Sequence, residues 1–69
     1  MYIYRFEIIH EKGTTPTVIV AETDEQAFNL VDVELEKYFL TLPDYQEIVL
    51  FEKKRIGKGG GFVLPAFTN

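Results

Sequence analysis

The strongest pattern in this 69-residue chain is an amphipathic helix flanked on both sides by β-type segments. Thr23 is a good N-cap residue, and Gln26, three residues later, completes a capping box. Pro43 disfavours helical backbone in the residue before it. We therefore predict a helix over about residues 24–41. Its apolar residues recur at three- and four-residue spacing as one core-facing stripe, formed by Ala27, Phe28, Val31, Leu35, Tyr38, Phe39 and Leu42.

Two β-type segments precede this helix. Residues 2–9 alternate between two faces at period two, and residues 17–22 are rich in β-branched side chains. Residues 11–16 between them have turn chemistry, in which Gly13 is free to take positive φ. Pro16 is expected to end strand pairing because it has no N–H. The two segments are predicted to form a β-hairpin.

Two further segments follow the helix. Residues 47–52 are a short apolar run that predicts a third strand, which either stops there or continues to residue 56. A glycine-rich segment then interrupts regular structure, and residues 62–64 are predicted to form a short fourth strand. The fold class is α+β, with ββαβ(β) order and a three- or four-stranded antiparallel sheet packed on one helix. A right-handed connection places the third strand beside the first, in the order 2-1-3.

The whole chain is predicted to be a single domain, residues 1–69. Its core is the β-β-α-β unit of residues 1–56, followed by a glycine-rich segment and C-terminal tail, residues 57–69. One helix covers only one face of a sheet. Either the tail or another chain must therefore cover the second face, which holds Ile3, Ile9, one of Val18 and Ile19, and one of Leu50 and Phe51.

A second apolar strip on the helix is formed by Leu30, Val33 and Leu40, which are neighbours on a helix surface. Either the C-terminal segment or sheet margin covers this strip, or it makes an intermolecular contact. We take the strip as a candidate interface, together with the apolar residues of the C-terminal segment, Phe62, Val63 and Leu64. Such an interface predicts a homodimer.

The charge of the chain is divided between its two parts. Residues 1–47 carry ten acidic and three basic residues, a balance of −7, whereas residues 48–69 carry one acidic and four basic residues, a balance of +3. The four basic residues of the second part are a candidate anion-binding site: Lys53, Lys54, Arg55 and Lys58. Three interpretations are open: the residues form a solvated strand end, they contact an acidic protein surface, or they bind nucleic-acid phosphates while Phe62 stacks on a base. The glycines do not follow the order of a P-loop.

Catalytic chemistry has little support in this sequence. The chain has no serine and no cysteine, and its one histidine, His10, follows the first strand. We predict no catalytic, cofactor-binding or metal-binding residues, and no enzyme activity. No apolar run reaches the roughly 20 residues of a membrane span, and residues 1–5 do not resemble a signal peptide. We therefore expect a cytoplasmic protein without disulfides or membrane contact.

Four segments resemble those of a family of short, functionally uncharacterised proteins from Bacillus-type bacteria. They are Met1–Glu7, Glu22–Phe28, Glu52–Ile56 and Gly61–Val63. The resemblance spans nearly the whole chain and implies a bacterial cytoplasmic domain of about this length. It implies no catalytic residues.

The sequence favours a non-enzymatic protein-interaction module that self-associates. The alternative is a nucleic-acid-associated accessory protein that uses the basic segment. A third hypothesis, a small-molecule sensor or enzyme, requires a pocket of at least about 300 Å³.

Overall fold

The computed structural model describes residues 1–11, 13–39 and 44–64. Among them lie three strands and one helix: β1 (Tyr2–His10), β2 (Gly13–Ala21), α1 (Asp24–Phe39) and β3 (Tyr45–Arg55). The strands form an antiparallel sheet in the order β2-β1-β3. The predicted α+β class and the 2-1-3 strand order are confirmed.

One half of the predicted capping box forms at the start of α1, and the other half is displaced by one residue. Thr23 Oγ1 accepts a hydrogen bond of 3.1 Å from the backbone N–H of Gln26. The Gln26 side chain accepts a hydrogen bond of 2.9 Å from the backbone N–H of Glu22, one residue earlier than the capping box predicts. The predicted helix end and Leu42 fall within residues 40–43, which lie outside the described residues.

Pro16 does not end the hairpin, contrary to our expectation. It lies inside β2 opposite Glu7, and strand pairing continues on both sides of it. β2 is an edge strand, and an edge strand accepts proline where the missing N–H faces away from its neighbour. The turn is consequently short, and Gly13 begins β2 with a φ of 128°.

β3 is longer than the apolar run that predicted it. The strand continues through the basic residues to Arg55, and Ile56 N–H donates a hydrogen bond of 3.0 Å to the Met1 carbonyl. The register shifts by one residue, so that Arg5 faces Glu52 while Phe6 faces Leu50. Residues 62–64 form no strand in the described part of the chain, so a fourth strand is not present there.

The core lies between α1 and one face of the sheet. It contains Tyr4, Phe6, Ile8, Ile19, Ala21, Ala27, Val31 and Leu35. The predicted period-two face of β1 is thus confirmed. The helix stripe is narrower than predicted, because Phe28, Tyr38 and Phe39 remain exposed. A small sheet encloses only the middle of the stripe.

Candidate protein-interaction surface

No described element covers the face of the sheet opposite α1. Successive side chains of a strand point to opposite faces, so the register between the strands identifies the residues whose side chains lie on this surface. We call it the open face. Its side chains are Ile3, Arg5, Glu7 and Ile9 from β1, Thr14, Pro16, Val18 and Val20 from β2, and Glu47, Val49, Phe51, Glu52 and Lys54 from β3.

An ion pair lies at the centre of the open face. Arg5 Nη2 donates a hydrogen bond to Glu7 Oε1 at 3.3 Å, and Arg5 Cζ lies 4.5 Å from the centroid of the Phe51 ring. Arg5 is only 7% exposed. Arg5 Nε and Glu7 Oε2 are buried and have no hydrogen-bond partner among the described residues. A buried polar atom without a partner is costly, so the pair is incomplete as it stands.

The register shift in β3 explains the position of Phe51. Between the pairs Arg5–Glu52 and Phe6–Leu50, β3 contains one extra residue, which is Phe51. A bulge of this kind places two residues of one strand opposite one residue of the other. Phe51 therefore reaches Arg5 on the open face, whereas Leu50 stays on the helix side.

Apolar side chains on the open face are substantially exposed. The exposed fraction is 41% for Val18, 48% for Val20 and 59% for Phe51. Ile3 and Ile9 are half-buried at the two ends of β1. A contiguous exposed apolar patch on a small protein often marks a contact with another macromolecule.

Both edges of the sheet carry features that disfavour strand addition. Pro16 interrupts the row of N–H groups along the outer edge of β2. The outer strand β3 ends in four charged residues, Glu52–Arg55. Proline and charged residues are common protections of edge strands. The open face is consequently better suited to association than either edge.

The four cations of the proposed anion site do not converge. Lys53 lies on the helix side of β3 and donates to Asp24 Oδ1 at 2.8 Å. Lys54 lies on the open face, where it donates to the Gly61 carbonyl at 3.0 Å and approaches the Phe62 ring at 4.8 Å. Arg55 and Lys58 are exposed and have no ion pair in the described part of the chain. This arrangement gives the nucleic-acid alternative no support.

Asp24 connects three elements. Its Oδ1 also accepts a hydrogen bond of 2.8 Å from the buried Tyr4 hydroxyl. The hydrogen bond from Lys53, with that from Tyr4, lowers the pKa of Asp24, and the same bond raises the pKa of Lys53. Burial and the bond to Asp24 raise the pKa of Tyr4. The cluster fixes the start of α1 against β1 and β3. Sequence reasoning missed it, because these residues are distant in the chain.

Two further polar contacts link the elements. The Tyr45 hydroxyl donates to Asp32 Oδ1 at 2.9 Å, and this bond raises the pKa of Tyr45. His10 Nε2 and Thr15 Oγ1 are hydrogen-bonded at 2.8 Å. His10 lines an open groove of about 620 Å³ between β2 and the end of α1, with Leu35, Tyr38 and Phe39 among the other lining residues. The described residues contain no group of three or more potential metal ligands.

The candidate interface residues are dispersed in the structure. Leu30 packs against the core, while Val33 is exposed on α1. Leu40 lies outside the described residues. Phe62 is half-buried beside Lys54, and the following Val63 and Leu64 are exposed. The C-terminal residues therefore lie near the margin of the open face, whereas the helix strip is on the other layer.

Comparison with known proteins places this chain in a family. Residues 1–64 match the family described as "Protein of unknown function (DUF3906)", and the chain belongs to that family. No curated protein and no solved structure matches the chain. Within the described residues, α1 is too short and too polar to cross a membrane.

Proposed function

We propose that this protein is a non-enzymatic protein-interaction module that self-associates through the open face. The observation that supports this proposal most strongly is the incomplete Arg5–Glu7 ion pair at the centre of that face. Exposed apolar side chains surround the pair, so a second protein would bury apolar area and supply the missing hydrogen-bond partners.

The protected edges agree with this proposal. Pro16 in β2 and the charged end of β3 disfavour association by strand addition. Contact across the face needs neither edge. From the resemblance to short proteins of Bacillus-type bacteria, we also propose that the protein acts in a bacterial cytoplasm.

Sedimentation equilibrium of two matched aromatic variants tests the proposed surface. Phe51→Ser removes an aromatic side chain from the open face, and Tyr38→Ser removes one from α1 that is more exposed, at 79%. The wild-type chain is expected to dimerise reversibly. Phe51→Ser should weaken the dimer by about tenfold, because central aromatic residues often dominate interface energy. Tyr38→Ser should leave the Kd of the dimer within about twofold of wild type.

Two results would overturn the proposal. A wild-type chain that remains monomeric up to about 1 mM, the limit of weak association, has no self-association to explain. Equal weakening by the two substitutions would mean that the open face is not the contact surface.

A further inference from the structure

The open-face residues of β1 form a sequence that is complementary to itself when reversed. From one end of the strand to the other they are Ile3, Arg5, Glu7 and Ile9: apolar, cationic, anionic, apolar. A second copy laid antiparallel on this strand reads apolar, anionic, cationic, apolar. Each Arg5 then faces the partner's Glu7, and each Ile3 faces the partner's Ile9.

In β3, Lys54 and Glu47 fit the same reversal, whereas Glu52 then faces the partner's Val49. The register of β3 with β1 places Lys54 beside Ile3 and Glu47 beside Ile9. The reversal that pairs Arg5 with the partner's Glu7 also places Lys54 over the partner's Glu47. Two cation–anion contacts of different strands thus follow from one symmetry operation, and each occurs twice in a symmetric dimer.

The atoms without partners fit this operation. Among the described residues, Arg5 Nε has no acceptor and Glu7 Oε2 has no donor. In the antiparallel arrangement, each donor faces the acceptor of the other copy. Phe51, which lies over Arg5 and is mostly exposed, would move aside to admit the contact.

The other symmetric arrangement of two facing sheets brings like charges together. A two-fold axis parallel to the strands places Arg5 over the partner's Arg5 and Glu7 over the partner's Glu7. Juxtaposed like charges strongly disfavour an interface. Charge therefore selects the two-fold axis that runs across the strands. This axis lies on the open side of the sheet and crosses β1 at the position of Phe6.

We propose that two copies of this chain pair their open faces antiparallel, about a two-fold axis across β1 between Arg5 and Glu7. This inference rests on the proposed function, since it specifies the arrangement of the self-association. The face measures about 15 Å by 30 Å, from strand spacing and length, or roughly 450 Å². That is below the roughly 800 Å² per partner of a standard interface, so the dimer is expected to be weak and concentration-dependent.

Complementary charge reversals test this arrangement. Glu7→Arg gives a chain with two cations at the centre of the face, and Arg5→Glu gives a chain with two anions. Each variant alone should dimerise at least about tenfold more weakly than wild type, because both central contacts become repulsive. A 1:1 mixture of the two should recover dimer formation to within about threefold of wild type, since every cation then faces an anion. Sedimentation equilibrium measures all three samples, and thermal unfolding monitored by circular dichroism identifies a variant that fails to fold.

Cross-linking gives a second test that leaves the charges unchanged. The chain has no cysteine, so Ile3→Cys and Ile9→Cys each introduce one reactive thiol. A short bis-maleimide should join the two variants in a mixture faster than it joins either variant to itself. In the proposed dimer, two copies of the same position are displaced by about 20 Å along the strand.

The outcomes separate this arrangement from the proposed function. If wild type dimerises but the mixture gains nothing over the single charge variants and Ile3→Cys links to itself, the antiparallel arrangement is wrong and self-association stands. If wild type stays monomeric, both proposals fail, and the face is left to the chain's own C-terminal segment or to a different protein.

Discussion

Arg5 occupies a position where a sheet face usually carries either an apolar side chain or a solvated one. The Arg5 side chain is charged but not solvated, because Phe51 and Glu7 shield it from water. Burying a charge is unfavourable unless it is paired and fully hydrogen-bonded. The Arg5–Glu7 pair satisfies only part of that requirement. At the residue scale, this incomplete pair is the strongest argument that the open face has an external partner.

Asp24 makes the stability of the fold depend on pH. Its pKa is lowered below the ordinary value of 3.8 by hydrogen bonds from Lys53 and Tyr4. Below that ordinary value the unfolded chain binds the proton more readily than the folded one. The stabilisation from Asp24 is therefore present above about pH 4 and is lost as pH falls through the lowered folded pKa.

We predict that Asp24→Asn destabilises the protein more at pH 7 than at about pH 2.5, because the stabilisation from the wild-type carboxylate declines once the pH falls below the ordinary pKa of 3.8. Urea unfolding at the two pH values measures the difference. Glu25→Gln is the matched control, since Glu25 lies in the same helical turn and has no partner among the described residues. An equal loss of unfolding free energy from Asp24→Asn at both pH values would contradict the prediction.

Within the elements, the N-terminal cap of α1 is a local device whose strength can be measured. Thr23 Oγ1 accepts from the Gln26 N–H at 3.1 Å. We predict that Thr23→Ala lowers the free energy of unfolding by about 1 kcal/mol, because one helix N–H loses its partner. For a domain of this size, that corresponds to a fall in Tm of about 6 °C. Thr23→Ser keeps the acceptor and should behave like wild type; a serine variant as unstable as the alanine variant would show that the cap hydrogen bond is unimportant.

The sequence predicts those features of the elements that depend on local pattern. The start of α1 follows from Thr23 and Gln26, and the buried face of β1 follows from the period-two placement of Tyr4, Phe6 and Ile8. The strand order follows from the handedness of the connection. Each of these depends on neighbours in the chain or on a general rule of topology.

Features that depend on pairing were not predictable in the same way. Pro16 is acceptable in β2 only because that strand lies at the edge. The side of the sheet on which Phe51 lies depends on a one-residue bulge. The burial of Arg5 follows from Phe51, and the Tyr4–Asp24–Lys53 cluster joins distant segments. The centre of the candidate site therefore emerged only from the register of β1 with β3.

At the scale of the whole molecule, the two faces of the sheet differ in how much of their apolar surface is buried. The described helix buries one face, and exposed apolar side chains remain on the other. A domain of about 60–70 residues buries only about 60% of its unfolded surface, so its core is small. A second sheet packed on the open face would enlarge the apolar interior of the assembly. Dimerisation would thereby also stabilise the fold by mass action.

A dilution series followed by methyl NMR tests the central claim most directly. Methyl groups report separately on the two sides of the molecule. Ile3, Ile9, Val18 and Val20 lie on the open face of the sheet, and Leu30 and Val33 lie on α1. Between about 1 mM and 20 µM, the range expected for a weak dimer, the open-face methyl resonances should shift together along one binding curve. The α1 resonances should stay fixed. Concentration-dependent shifts confined to Leu30 and Val33 would place the contact on the helix, and resonances that do not move at all would contradict self-association through the open face.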